Sequence, residues 1–147
     1  MATDNAISLL LTEIDPDALQ LCHKLILRRF PDLTIHVVNN PNEALVLFKE
    51  HNHDIVVSDL FLPKNDGIHL AREICAINPD THVLFLTADH TLNKHFLDPY
   101  AKELCLKRIV SKPLDVAELF LSISTAIDSI TNRRLSYDTS LDKRVIR

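Results

Sequence analysis

The chain is almost without glycine: Gly67 is the only one in 147 residues, where average usage of about 7% would supply roughly ten. Neither glycine-built phosphate loop, G-x-G-x-x-G or G-x-x-x-x-G-K-[ST], can be written here. Cysteine is scarce as well. Cys22, Cys75 and Cys105 are odd in number, far apart and set among apolar neighbours, with no C-x-x-C pair. That pattern speaks against a disulfide framework or a zinc site and predicts buried thiols in a reducing compartment. The longest apolar runs are four or five residues, far short of a membrane span. The start, Met1 to Asn5, lacks the basic residues and apolar core of a signal peptide. Positive charge is not in excess either: 16 Lys+Arg against 20 Asp+Glu give a net charge of −4, which argues against a nucleic-acid surface. These absences predict a soluble, cytoplasmic protein that touches neither membrane nor nucleic acid.

What is present suits one domain with a real core, since 46% of residues are apolar and 24% charged. Five short runs rich in branched residues stand out: Ile7–Leu11, Thr34–Val38, Ile55–Ser58, Val83–Leu86 and Arg108–Val110. Most lack polar alternation, as strands buried on both faces do. Helical stripes lie between them. One carries Ala18, Leu19, Cys22, Leu25, Ile26 and Phe30, a second Ala44 to Phe48, a third Ile68 to Cys75, and a last one runs from about Val116 to Ile130. Asp15-Pro16 and Asn40-Pro41 read as helix starts, Asn40…Glu43 and Asp115…Glu118 as capping boxes, and Asn78-Pro79 as a stop. A fourth helix falls within Thr91–Leu104, where Pro99 interrupts it. The alternation is β-α five times over, which predicts an α/β fold with a parallel sheet between helical layers. The expected division is a short segment 1–6, a domain 7–130, and a basic tail 131–147 that is either a solvated, frayed end or a partner-binding arm.

In such a sheet, ligands bind at the carboxyl ends of the strands. Those ends read Glu13 with Asp15, Asn39-Asn40, Asp59, Thr87 and Lys112. With strands ordered 2-1-3-4-5, the acids, the hydroxyl and the ammonium group stand in one row. Two carboxylates about 4 Å apart repel by roughly 4 kcal/mol at an effective dielectric of about 20, and a hard divalent cation, Mg²⁺, would relieve that. Lys112 and the Thr87 hydroxyl could take the oxygens of an incoming phosphoryl group, with Asp59 as nucleophile. A flavodoxin-like nucleotide or flavin binder is a poorer reading, because Glu13 and Asp15 would repel a phosphate.

The stretch Asp54–Gly67 (DIVVSDLFLPKNDG), together with Val83–Ala88 (VLFLTA) and Val110-Ser-Lys112-Pro113, resembles the receiver domains of bacterial two-component response regulators, and the resemblance extends from Ile7 to Ile130. It implies a flavodoxin-like doubly wound (βα)5 fold with a five-stranded sheet of order 2-1-3-4-5. It implies phosphoryl transfer from a sensor histidine kinase or phosphotransfer protein to Asp59, with Thr87 and Lys112 as the other catalytic residues. Such a domain is not a conventional enzyme, at most one that phosphorylates and dephosphorylates itself. Glu13, Asp59 and the Phe61 backbone carbonyl would hold Mg²⁺, with Asp15 a further candidate or only a helix cap. Signalling would pass to a downstream protein target, homodimerisation stays open, and the Lys112–Pro113 peptide is expected to be cis.

Two positions depart from the family pattern. Ile14 stands where a second acid is usual, which predicts weaker Mg²⁺ binding, and Ile109 replaces the Tyr or Phe three residues before the lysine. Both favour the alternative of a degenerate receiver that binds partners without phosphorylation. Phe61 and Asp89 flank the path of a hydrolytic water, so any phosphoryl group should be lost slowly. Gly67 is expected to serve a turn with positive φ. The eight histidines, among them His51-x-His53, His90 and His95, carry no metal-ligand signature and are expected to face solvent in loops and helices.

Overall fold

The structure, a computed structural model, describes residues 6–60, 66–89, 99 and 101–146, with 66 and 138–146 described as backbone. Five parallel strands form one sheet: β1 (Ser8–Thr12), β2 (Thr34–Val38), β3 (Ile55–Asp59), β4 (His82–Thr87) and β5 (Leu106–Ser111). Their order is β2-β1-β3-β4-β5. Among the described residues five helices accompany them: α1 (Pro16–Arg29), α2 (Pro41–His51), α3 (Asp66–Ile77), α4 (Ala101–Leu104) and α5 (Val116–Ile146). This is the flavodoxin-like doubly wound arrangement.

Each apolar strand feeds two cores because successive side chains point to opposite faces. Leu10, Val56 and Phe85 pack with Phe48 of α2 and Ile74 of α3. Leu9, Leu11, Val57 and Leu84 pack with Ile26 of α1 and Leu119 and Ile123 of α5. Fully burying such side chains contributes about 1.5–3 kcal/mol each. The helix starts follow the caps. Asp15 accepts a hydrogen bond from the Asp17 N–H at 3.0 Å, Asn40 Oδ1 from the Glu43 N–H at 2.8 Å, and Asp115 Oδ1 from the Glu118 N–H at 3.1 Å. The outer strands are less apolar. Lys107 and Arg108 are exposed on β5, where edge charges discourage pairing with another chain.

Several expectations need correction. The sulphurs of Cys75 and Cys105 form a disulfide with Cα atoms 5.6 Å apart, and Cys22 alone is a free buried thiol. The pairing joins α3 to the residue before β5, two places 30 residues apart in sequence. Gly67 has no positive φ; a Cβ there would instead overlap the backbone carbonyls of Asp59 and Leu60, so the glycine serves a close approach of α3 to the end of β3. His53 is fully buried rather than solvent-facing, whereas His51 is exposed. Past Ile130, α5 continues to Ile146. Its extension is anchored: Arg134 Nη2 reaches both carboxylate oxygens of Asp54 at 3.1 Å, and Arg133 lies 3.3 Å from Asp80. The segment Thr91–Leu104 begins outside the described residues, with α4 covering Ala101–Leu104 after Pro99. His90 and His95 also lie outside them.

Candidate functional site

At the carboxyl edge of the sheet, β3 ends in Asp59 and β4 in Thr87. Glu13 directly follows β1, and Lys112 directly follows β5. Parallel register makes them neighbours: Thr12 lies beside Ser58, Asp59 beside Leu86, and Thr87 beside Ser111. Backbone bonds continue the ladder past the strand ends. The Lys112 N–H donates to the Thr87 carbonyl at 2.7 Å, the Leu60 N–H to the Leu86 carbonyl at 2.8 Å, and the Glu13 N–H to the Val38 carbonyl at 3.3 Å. The Lys112–Pro113 peptide is cis.

The three charged side chains meet. Lys112 Nζ lies 2.6 Å from Asp59 Oδ1 and 2.6 Å from Glu13 Oε1, while Glu13 Oε2 accepts the Ile14 N–H at 3.0 Å. Glu13 is buried and Asp59 and Lys112 are half-buried. One ammonium thus faces two carboxylates, and the excess negative charge is expressed unequally. Burial pushes the Asp59 carboxyl up, Glu13 pushes it further, and Lys112 offsets only part of this, leaving it at about 7. Burial also acts to raise Glu13, but its hydrogen bonds with Asp59 and Lys112 outweigh this and hold it below its ordinary value. For Lys112 burial acts downward, and the two carboxylates more than compensate, so it stays firmly charged.

The remaining candidates are placed less directly. The Thr87 hydroxyl is buried and accepts the Asp89 N–H at 3.0 Å. Asp15 caps α1, as one of its two readings expects, and also lines a cavity of about 300 Å³ beside Glu13, Lys112 and Pro113. Ile14 is 39% exposed, so nothing in the core requires an apolar residue there. Ile109 is partly buried against the α2–α3 core layer. Phe61 lies outside the described residues.

The donor set suits a hard cation, because Asp59 and Glu13 offer carboxylate oxygens on one notch whose charge a single ammonium does not balance. Sequence reasoning placed every member of this trio. It did not see that Glu13 is held between Lys112 and its own neighbour's N–H, a local bond without a sequence signature.

Comparison with known proteins agrees with this geometry. Residues 9–124 match the response regulator receiver domain. Among curated proteins, the chain is 29% identical over 87 residues to the transcriptional regulatory protein RprY of Bacteroides fragilis, covering 59% of this chain and 36% of that one. It is 31% identical over 93 residues to the transcriptional regulatory protein ZraR of Klebsiella oxytoca, covering 63% of this chain and 20% of that one. The chain therefore matches only about a fifth to a third of the length of these two relatives. Among solved structures, the signal receiver domain of an HD domain-containing protein from Pseudomonas fluorescens superposes with a TM-score of 0.73 at 28% identity, covering 85% of this chain and 97% of that one. A response regulator receiver domain protein from Clostridium thermocellum gives 0.73 at 25% identity over the same shares. With the sheet order, the carboxyl-edge trio and a match over most of its length all in agreement, the chain belongs to the response regulator receiver domain family.

Proposed function

We propose that the chain is a phosphoacceptor: Asp59 takes a phosphoryl group from a phosphohistidine of a sensor histidine kinase or phosphotransfer protein, and the modified surface then engages a downstream protein. An Asp59 carboxylate oxygen attacks phosphorus, the P–N bond breaks as the P–O bond forms, and the leaving imidazole takes up a proton. Lys112, 2.6 Å from Asp59 Oδ1, is the fixed positive charge available to a phosphoryl oxygen once the acyl phosphate forms. Thr87, on the adjacent strand, supplies a hydroxyl that can turn from the Asp89 N–H toward the same group. Asp59 and Glu13 would hold Mg²⁺, with Asp15 as an additional oxygen donor near the notch and the Phe61 carbonyl as a backbone one. Bound there, the ion would neutralise charge on the phosphoryl oxygens. Ile14 leaves this set one carboxylate poorer, so binding is weak.

The observation that carries the reading is the contact of a single lysine with two carboxylates at the sheet edge. The test is incubation with Mg²⁺ and acetyl phosphate, followed by intact mass. Wild type should gain one phosphoryl group, and Asp59→Ala should gain none. A chain that stays unmodified at high Mg²⁺ would act through binding alone, and the proposal would be withdrawn.

A further inference from the structure

Among the described residues the sheet ends in β2 on one side and β5 on the other, and the sequence guards only one of these edges. β5 carries exposed Lys107 and Arg108, and a bulge breaks its pairing with β4, since Val83 lies beside Leu106 but Leu84 beside Arg108. Charge and bulges are devices that stop an edge from recruiting another strand. β2 has neither. It reads Thr34-Ile-His-Val-Val38, β-branched except at His36 and without Lys, Arg, Asp, Glu or Pro, and it pairs with β1 in unbroken register. Thr34 and Val37 are exposed, and Ile35 and His36 partly so.

Parallel pairing turns alternate residues of β2 toward β1. The Thr34 N–H donates to the Ile7 carbonyl at 3.0 Å, and the Val38 carbonyl accepts the Glu13 N–H at 3.3 Å. Thr34, His36 and Val38 therefore direct their backbone groups to β1, which leaves the N–H and C=O of Ile35 and Val37 pointing outward. Among the described residues no strand meets them there. The side chains are engaged above and below the sheet. Ile35 packs against the α1–α5 core layer, and the His36 ring lies against His51 and His53, with Nδ1 2.7 Å from His53 Nε2. Burial and His51 hold His36 below its ordinary pKa, so the whole strand is uncharged at neutral pH.

We propose that the outer edge of β2 docks a second copy of this chain, the two β2 strands pairing antiparallel about a two-fold axis at His36. The fit is self-complementary. Ile35 stands beside the partner's Val37 and Val37 beside the partner's Ile35, and each such pair exchanges two N–H···O=C bonds. Every outward group of both strands is then used, and β-branched side chains meet across the junction. An uncharged strand sets no like charges against each other in this pairing, whereas a β5–β5 contact would oppose Lys107 and Arg108 to their own copies. A β2–β5 contact would leave an open edge at each end and grow into a filament. The guards on β5 exclude it, so association closes at a dimer with one continuous sheet. This inference does not rest on the phosphoacceptor reading.

The test is sedimentation equilibrium of the full chain over a concentration series at neutral pH, with amide hydrogen exchange on the same samples. Wild type should pass from the mass of one chain to that of two and stop there. The Ile35 and Val37 amides should gain protection as concentration rises, and those of Lys107 and Arg108 should gain none. Val37→Lys places a charge on the edge, and Val37→Pro removes an outward N–H while sparing the bonds to β1, a position where edge strands tolerate proline. Each should raise the dimer dissociation constant at least about tenfold, the effect of two lost backbone hydrogen bonds per dimer. Leu121→Ser and Tyr137→Ser, at exposed apolar positions of α5, should dimerise as wild type does. Val37 is exposed, so Val37→Lys reports on pairing even if Val37→Pro folds poorly. A chain that stays monomeric at every concentration, a dimer indifferent to Val37→Lys, or one lost in Leu121→Ser or Tyr137→Ser would overturn the proposal.

Discussion

Lys112 Nζ stands 2.6 Å from Asp59 Oδ1, a contact between residues at the ends of two strands that are not neighbours in the sheet. The same nitrogen reaches Glu13 from the end of a third strand. The lysine therefore joins three strand ends, and its removal leaves two carboxylates facing each other. Lys112→Met should lower stability at neutral pH by about 1–3 kcal/mol, the scale of hydrogen bonds to charged groups in a half-buried setting. It should also slow modification by acetyl phosphate at least about tenfold. Urea unfolding and the rate of mass gain measure the two effects separately.

Gly67→Ala should be costly for a steric reason. The new Cβ would overlap the Asp59 and Leu60 carbonyls, and forcing atoms into a packed contact costs about 1–3 kcal/mol. Because the obstructed backbone is that of Asp59 itself, the variant should lose phosphoacceptance more than its stability loss explains. Comparing its modification rate with its urea midpoint checks this.

The anchor at the other end of the molecule gives a smaller effect. Asp54 accepts from Arg134 through both oxygens, and it also holds the Ser8 N–H at 3.0 Å. Arg134→Ala removes only the former. Since both partners are partly exposed, the expected loss is about 1 kcal/mol or less. Circular dichroism should show a loss of helix from the α5 extension at temperatures below the main transition.

His82 sets a pH dependence. It is buried at the start of β4, and burial together with Lys107 and Arg133 holds it below its ordinary value, against weaker opposing effects of Asp54 and Asp80. In the unfolded chain it titrates near 6.5, so below that pH the unfolded state takes up the proton first. Stability is thus fully present above pH 6.5 and is lost as pH falls toward the folded value, at up to about 1.4 kcal/mol per pH unit. His82→Gln should unfold with a shallower pH dependence between neutral and acid conditions than wild type.

Much of the fold could be read from the chain. The run Val83–Leu86 declares a strand buried on both faces, and Asp15-Pro16 and Asn40-Pro41 announce helix starts that the structure keeps. The outer elements were less legible. β5 begins at Leu106 rather than Arg108, because exposed Lys107 and Arg108 on an edge strand interrupt the apolar signal. The extension of α5 past Ile130 carries no strong apolar stripe and is held by Arg133 and Arg134, a kind of support that composition does not reveal. The Cys75–Cys105 pairing and the meeting of His36 with His51 and His53 are long-range contacts between residues whose local sequence has no reason to advertise them. The site was legible because its members sit at strand ends, where topology alone brings Glu13, Asp59 and Lys112 together.

The disulfide has a direct consequence for thiol chemistry. The denatured, unreduced chain should show one reactive thiol, Cys22, and three after reduction. Three thiols without a reductant would show that Cys75 and Cys105 are reduced in solution.

The central claim is that Asp59 carries an acyl phosphate. Borohydride cleaves such an anhydride and reduces the aspartyl carbon, leaving homoserine, so the modified position can be read by peptide mass spectrometry. After acetyl phosphate and Mg²⁺, the account predicts homoserine at position 59 alone and none when Mg²⁺ is removed. Homoserine at another acid, or none at all from a folded chain, would contradict it.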